Sequence, residues 1–235
     1  MLPPRSLLSL LALLTLAACD KIARPVFRSP PALPPEPWAA RPPAQWPQIV
    51  LTNAATFRGH SGLTGASSFL VRNESGRVFA ATANHLLGEN GGVVPTVMPD
   101  QLSTALISWR MYPRTLLDHP VRITGLASSP HPRKNLDWLL LSIANDGGPL
   151  PAAPLTLRAA PVSIGDELYL VGVPYVERSR AQNVYRCRVT ARGYGDRFRY
   201  DVNPPVDIRG FSGAPILDQS GHVAGVMTVW FKPRM

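Results

Sequence analysis

From Ile49 onward the chain is a series of short apolar segments rich in β-branched and aromatic side chains, each closed by Gly, Asn, Asp or Pro. They are SSFLVR (67–72), RVFAATA (77–83), ALISWRM (105–111), VRITGL (121–126), DWLLLSI (137–143), ELYLVGV (167–173), VYRCRVT (184–190), APILD (214–218) and HVAGVMTVWF (222–231). Segments of this length and composition read as strands, and NESG and DQSG between them read as hairpin turns. No helical period extends beyond a turn or two. The pattern predicts an all-β sandwich or barrel. GGPLPAAPLTL (147–157) reads as a link between two halves, roughly 49–146 and 158–235.

Upstream of Ile49 the pattern is different. Residues 20–48 are dense in proline and lack an amphipathic period, so they read as an extended tether. Before them, an apolar run from Ser6 to Ala18 follows Arg5; it is too short to span a bilayer and has the length of a secretory signal core. The run ends in Leu16-Ala17-Ala18-Cys19, which resembles the lipobox of bacterial lipoproteins. That resemblance implies removal of residues 1–18 and acylation of Cys19, which would anchor the chain to a membrane. Asp20 resembles the signal for inner-membrane retention, so the expected location is the bacterial cell envelope, on the periplasmic face of the inner membrane. The expected division is a signal peptide (1–18), a lipidated cysteine with its tether (19–48) and one domain (49–235).

Composition narrows this picture. The 235 residues are 45% hydrophobic, enough for a substantial core, and 26 prolines with 18 glycines exclude a helical bundle. A net charge of +9 comes mostly from scattered arginines, which read as a solvated surface attractive to anionic headgroups. No nucleic-acid motif with interleaved aromatics is present, so no nucleic-acid partner is expected. With Cys19 acylated, Cys187 is the one remaining cysteine, and its place in VYRCRVT reads as a small buried hydrophobe. No pair of histidines or cysteines has ligand spacing, so neither metal nor other cofactor is expected.

Candidate chemistry centres on RGFSGAP (209–215), where Ser212 stands between two glycines. A serine hydroxyl becomes a nucleophile when an imidazole takes its proton and a carboxylate fixes the imidazole tautomer. Of the five histidines, His60, His119 and His131 fall in loops, and His222 follows the DQSG turn. His85 stands at a strand end; taken alone, it reads equally as a core or turn histidine. Asp137 heads a strongly apolar strand, where a carboxylate needs a donor such as an imidazole N–H. Asp118 and Asp146 lie in turn contexts with ready solvent.

TANHLL, DWLLL and GFSGAP together resemble the His, Asp and Ser motifs of trypsin-like (chymotrypsin-fold) serine proteases, in that family's order. The bacterial periplasmic heat-shock-type branch is the nearest match. There an asparagine commonly precedes the histidine, as Asn84 does here, and GDELYLVGVP (165–174) resembles the strand that opens the second barrel. The resemblance spans about residues 60–230 and implies two packed antiparallel six-stranded β-barrels. Because the chain ends at Met235, the second is expected to be shortened at its C-terminus. His85 and Asp137 would come from the first barrel and Ser212 from the second. His85 would act as general base and Asp137 as its orienter. The N–H groups of Gly210 and Ser212 would form the oxyanion hole, and Val206 and Thr228 would line the substrate pocket.

Phe211 stands where the family usually has Asp or Asn, so the ionic switch of zymogen activation is expected to be absent. The resemblance implies a serine endopeptidase working on protein or peptide substrates through an acyl-enzyme. The alternative is a catalytically inactive lipoprotein of the same fold, serving as a binding or assembly module. An α/β-hydrolase fits poorly, because its elbow is G-x-S-x-G and its histidine follows the serine.

Overall fold

Successive side chains on a strand point to opposite faces, so one strand can contribute to two cores. The computed structural model describes residues 37–127, 136–144, 147–177 and 182–228. Its strands are β1 (Leu51–Phe57), β2 (Leu63–Arg72), β3 (Val78–Thr82), β4 (Leu106–Tyr112), β5 (Val121–Leu126), β6 (Leu139–Ile143), β7 (Glu167–Gly172), β8 (Asn183–Arg192), β9 (Phe198–Asn203), β10 (Pro215–Leu217) and β11 (Val223–Val226). The longest α-helix among the described residues is the single turn α1, Leu102–Ala105.

Strands β1 to β6 close into an antiparallel barrel in the order β1-β2-β3-β6-β5-β4. Closure needs local bends, and register shifts at Thr52/Asn53, Thr56/Phe57 and Ile123/Gly125 supply them. The second half is a five-stranded antiparallel sheet, ordered β11-β10-β7-β8-β9. One closed barrel and one five-stranded sheet are consistent with the two-barrel architecture. Among the described residues the second half has one strand fewer than the expected six, and its order is open rather than closed.

Each expected segment contains a strand, although β6 begins two residues after Asp137 and β11 ends at Val226, residues 229–231 of the last expected segment lying outside the described residues. Two strands had no counterpart in the apolar pattern. β1, LTNAATF, has only small and polar residues between Leu51 and Phe57, and Asn53 among them is fully buried. There Asn53 accepts from the Trp109 indole N–H and donates to the Ser67 carbonyl, so its polarity is satisfied inside the barrel. β9, FRYDVN, is an edge strand that presents Arg199 and Asp201 outward while Phe198, Tyr200 and Val202 pack inward.

Alternation explains why β2, β3 and β6 read as nearly continuous apolar runs. Leu70, Ala80, Leu139 and Leu141 fill the barrel interior. Their neighbours Phe69, Val71, Phe79 and Ala81 face outward into a second core, where they meet Tyr169, Val171 and Leu217 of the five-stranded sheet. On the far face of that sheet, Leu168, Leu170, Cys187, Val189 and Ile216 form a third core. The C-terminal end of the link is pinned to both halves: Leu155 bridges Val71 of β2, and Leu157 bridges Val223 of β11.

Part of the proline-rich stretch expected to act as a tether packs against the domain. Trp46 is buried in the second core, with its ring edge-to-face against Trp38 and Tyr169 at 5.4 and 5.5 Å. The Gln182 side chain holds the following residues, accepting from the Ile49 N–H at 2.9 Å and donating to the Pro47 carbonyl at 2.7 Å. Two indoles supply apolar area that a solvated spacer would lack. The expected signal peptide, Cys19 and residues 20–36 of the tether lie outside the described residues, as does His131.

Candidate active site

His85 sits in a 3-10 turn, Asn84–Leu87, that follows β3 directly. Leu86 and Leu87 are buried in the barrel core and fix the turn, leaving His85 half-buried at its open side. The carboxylate of Asp137, just ahead of β6, meets it twice. The His85 backbone N–H donates to Oδ1 at 2.8 Å, and Nδ1 donates to Oδ2 at 2.7 Å. An ionised carboxylate only accepts, so the proton belongs on Nδ1 and the lone pair on Nε2. This is the tautomer a general base requires. Pairing of β3 with β6, from Phe79↔Ser142 to Thr82↔Leu139, brings the two residues together from positions 52 apart in the chain.

Ser212 lies on the turn before β10. Gly210 and Gly213 flank it with φ of 102° and 86°, in the region that favours glycine. At Gly213 space also decides: a Cβ would come within 2.1 Å of the Ser67 carbonyl oxygen and 2.4 Å of Thr82 Oγ1. The turn carrying Ser212 therefore lies directly on β2 and the end of β3, three positions before His85. The N–H groups of Phe211, Gly213 and Ala214 are engaged by Ile208, Met227 and Phe211 carbonyls. Those of Gly210 and Ser212 meet no acceptor among the described residues. Two unengaged N–H groups beside a serine are what an oxyanion requires. Among the described residues no hydrogen bond joins the Ser212 hydroxyl to His85, as is common before substrate tightens such a site.

Phe211 stands where the resemblance implies Asp or Asn. It is fully buried, packs edge-to-face on Tyr185 at 5.5 Å, and lies so close to Gly172 that a Cβ there would come within 2.3 Å of its ring. An aromatic plug in the third core thus fixes the turn from below.

Ser67 has the same role from the side, and its function was not evident from the sequence. Its N–H donates to the Ser212 carbonyl at 2.8 Å and its Oγ to the Gly210 carbonyl at 2.8 Å. The carbonyl of Ser67 in turn accepts from Thr82 Oγ1 at 2.7 Å. The available signal was the pair of hydroxyls in SSFLVR: a buried serine in an apolar strand must find partners.

The other expected site residues are placed as follows. Val206 is half-buried between β9 and the turn carrying Ser212. Thr228 is half-buried next to Met227, whose backbone exchanges hydrogen bonds with Gly213 and Ala214. Asp207, adjacent to Val206, is exposed and forked by the Arg209 guanidinium, which holds its carboxyl below the ordinary value. Cys187 is buried, and burial pushes its thiol up to about 12, so it stays protonated and inert. His60 bonds the Pro95 carbonyl and His222 faces Asp218, both away from Ser212 in partners. A cavity of about 340 Å³ opens beside His85, lined by Leu87, Glu89, Val97 and Met98 among others. Among the described residues no group of three or more His, Cys, Asp or Glu side chains could hold a metal ion.

The chain matches the family model described as "Trypsin-like peptidase domain" over residues 66–226. Among solved structures it is similar to the active form of the Rv3671c protease from M. tuberculosis, with 17% identity and a TM-score of 0.50 over 90% of this chain and 83% of that one. It is also similar to Deg5, with 20% identity and a TM-score of 0.48 over 77% of this chain and 79% of that one. No curated protein sequence matches the chain. At these identities the structural likeness speaks to fold alone.

Proposed function

Since the chain belongs to the trypsin-like peptidase domain family, we propose that it is a serine endopeptidase acting through His85, Asp137 and Ser212. The observation that carries this reading is the double hydrogen bond from His85 to the Asp137 carboxylate, beside a serine turn built against the same strands. In the proposed reaction His85 Nε2 takes the Ser212 Oγ proton as the oxygen attacks the substrate carbonyl carbon. Asp137 holds the ring and stabilises the imidazolium. The N–H groups of Gly210 and Ser212 receive the oxyanion. The intermediate collapses as His85 returns its proton to the leaving amine, giving an acyl-enzyme that water hydrolyses by the same steps. Val206 and Thr228 are proposed to contact the substrate side chain beside the scissile bond. The lipobox-like Leu16–Cys19 extends the proposal to an envelope enzyme held to the membrane by acyl chains on Cys19, the inner membrane being favoured by Asp20.

Reaction of the purified protein with a fluorophosphonate probe, beside Ser212→Ala, tests the nucleophile. The wild type should label and the variant should not. A folded wild type that stays unlabelled from about pH 6 to 9 would instead assign the chain as a non-catalytic binding module. In the same preparations, partition into a detergent phase should be lost in Cys19→Ala; unchanged partition would remove the anchor from the proposal.

A further inference from the structure

A trans peptide is planar, so its carbonyl and its N–H point in opposite directions. In the Arg209–Gly210 peptide the carbonyl accepts from the Tyr175 N–H at 3.0 Å. That bond turns the Gly210 N–H the other way, where it meets no acceptor among the described residues. Tyr175 is itself fixed at two further points. Its Oη accepts from the Ala66 N–H of β2 at 3.1 Å. Its ring lies over two glycines: a Cβ at Gly65 would come within 3.0 Å of the ring, and one at Gly210 within 3.1 Å. Gly65 and Ala66 both carry positive φ, 93° and 55°, and at Ala66 that conformation is uncommon for a residue with a side chain. The bond to Tyr175 is one of the contacts holding it there.

We propose that Tyr175 is a positioning residue that sets the direction of the Gly210 N–H by bracing the peptide before it against β2. This inference rests on the peptidase reading above, because the direction of that N–H matters only if it receives an oxyanion. The two carbonyls around the glycine are each held, Arg209 by the Tyr175 N–H and Gly210 by Ser67 Oγ. Rotating the peptide so that its carbonyl faced the site would break the first of these bonds. Tyr175 remains 46% exposed and belongs to none of the three cores, so its truncation should alter chemistry more than stability.

The test compares the wild type with Tyr175→Ala and Tyr175→Phe in pre-steady-state acylation by p-nitrophenyl acetate, with thermal unfolding of each. Tyr175→Ala should lower the acylation rate constant roughly tenfold, short of the 10²–10³ expected for deleting a donor, with the half-saturating ester concentration unchanged within about twofold. Tyr175→Phe keeps the ring over Gly210 and should recover most of the rate. A reactive wild type alongside Tyr175→Ala of equal rate overturns the inference and leaves the peptidase reading standing. So does a loss that merely follows the fraction unfolded. A folded wild type inert to both this ester and the fluorophosphonate overturns the peptidase reading, and this inference with it.

Discussion

The closed barrel β1–β6 and the five-stranded sheet β7–β11 bury their strands by different means. The barrel pairs each strand on both sides and fills its interior with Trp109, Met111, Leu139 and other side chains of its own. The sheet ends in two edge strands, β11 and β9, and borrows much of its cover. One face rests on the outside of the barrel, and the other is closed partly by Phe211 from the loop that carries Ser212. His85 and Asp137 therefore sit on a self-sufficient frame, and Ser212 on a loop whose geometry is imposed from outside. In the barrel, local strand pairing is enough to bring Asp137 to His85. In the sheet, the serine turn needs Phe211 below, Ser67 beside and glycine at Gly213.

The largest expected effect lies on the barrel side. Asp137→Asn should lower kcat about 10⁴-fold, because the amide cannot hold the Nδ1–H tautomer. Circular dichroism should show the fold retained, and a kcat loss smaller than tenfold would remove Asp137 from its orienting role. On the sheet side, Phe211→Ala should cost about 3–5 kcal/mol in urea unfolding by emptying a fully buried aromatic site. Amide exchange would sharpen the contrast: β7, β8 and β10 should lose protection before β1 to β4 do. Equal loss in both halves would show that they open as one unit. The smallest effect concerns Asp166, at the entry to β7, which accepts from the Ser163 N–H and pairs with Arg158 at 2.8 Å. These bonds hold its carboxyl below the ordinary value, so the folded state binds that proton less tightly than the unfolded chain does. The contribution is present above the unfolded value and fades as pH falls through the folded one. Asp166→Asn should cost less than about 1 kcal/mol at pH 7, with the difference closing below about pH 4. A cost of similar size at low pH would mean that packing, not charge, is responsible.

The contrast between the halves also explains what the sequence made legible. His85, Asp137 and Ser212 each lie in a local motif whose neighbours state the context: an apolar strand end, a carboxylate at a strand head and a pair of glycines. The strands of the apolar pattern were legible for the same reason. Ser67 and Tyr175 were not, because their roles depend on partners far along the chain: Gly210 for Ser67 and Ala66 for Tyr175. Nothing within a few residues of either marks the partner. β1 escaped notice because its buried asparagine is satisfied by Trp109, 56 positions away. Trp38 and Trp46 were read through their proline neighbours, and the area buried as Trp38 packs on Trp46 and Trp46 on Tyr169 proved decisive.

Phe211 carries one more consequence. An ionic anchor under a nucleophile turn weakens as dissolved salt screens it. The Phe211–Tyr185 edge contact is uncharged and buried, and salts that strengthen apolar burial can only tighten it. The support that Phe211 gives the turn carrying Ser212 is thereby insulated from the ionic strength of the medium.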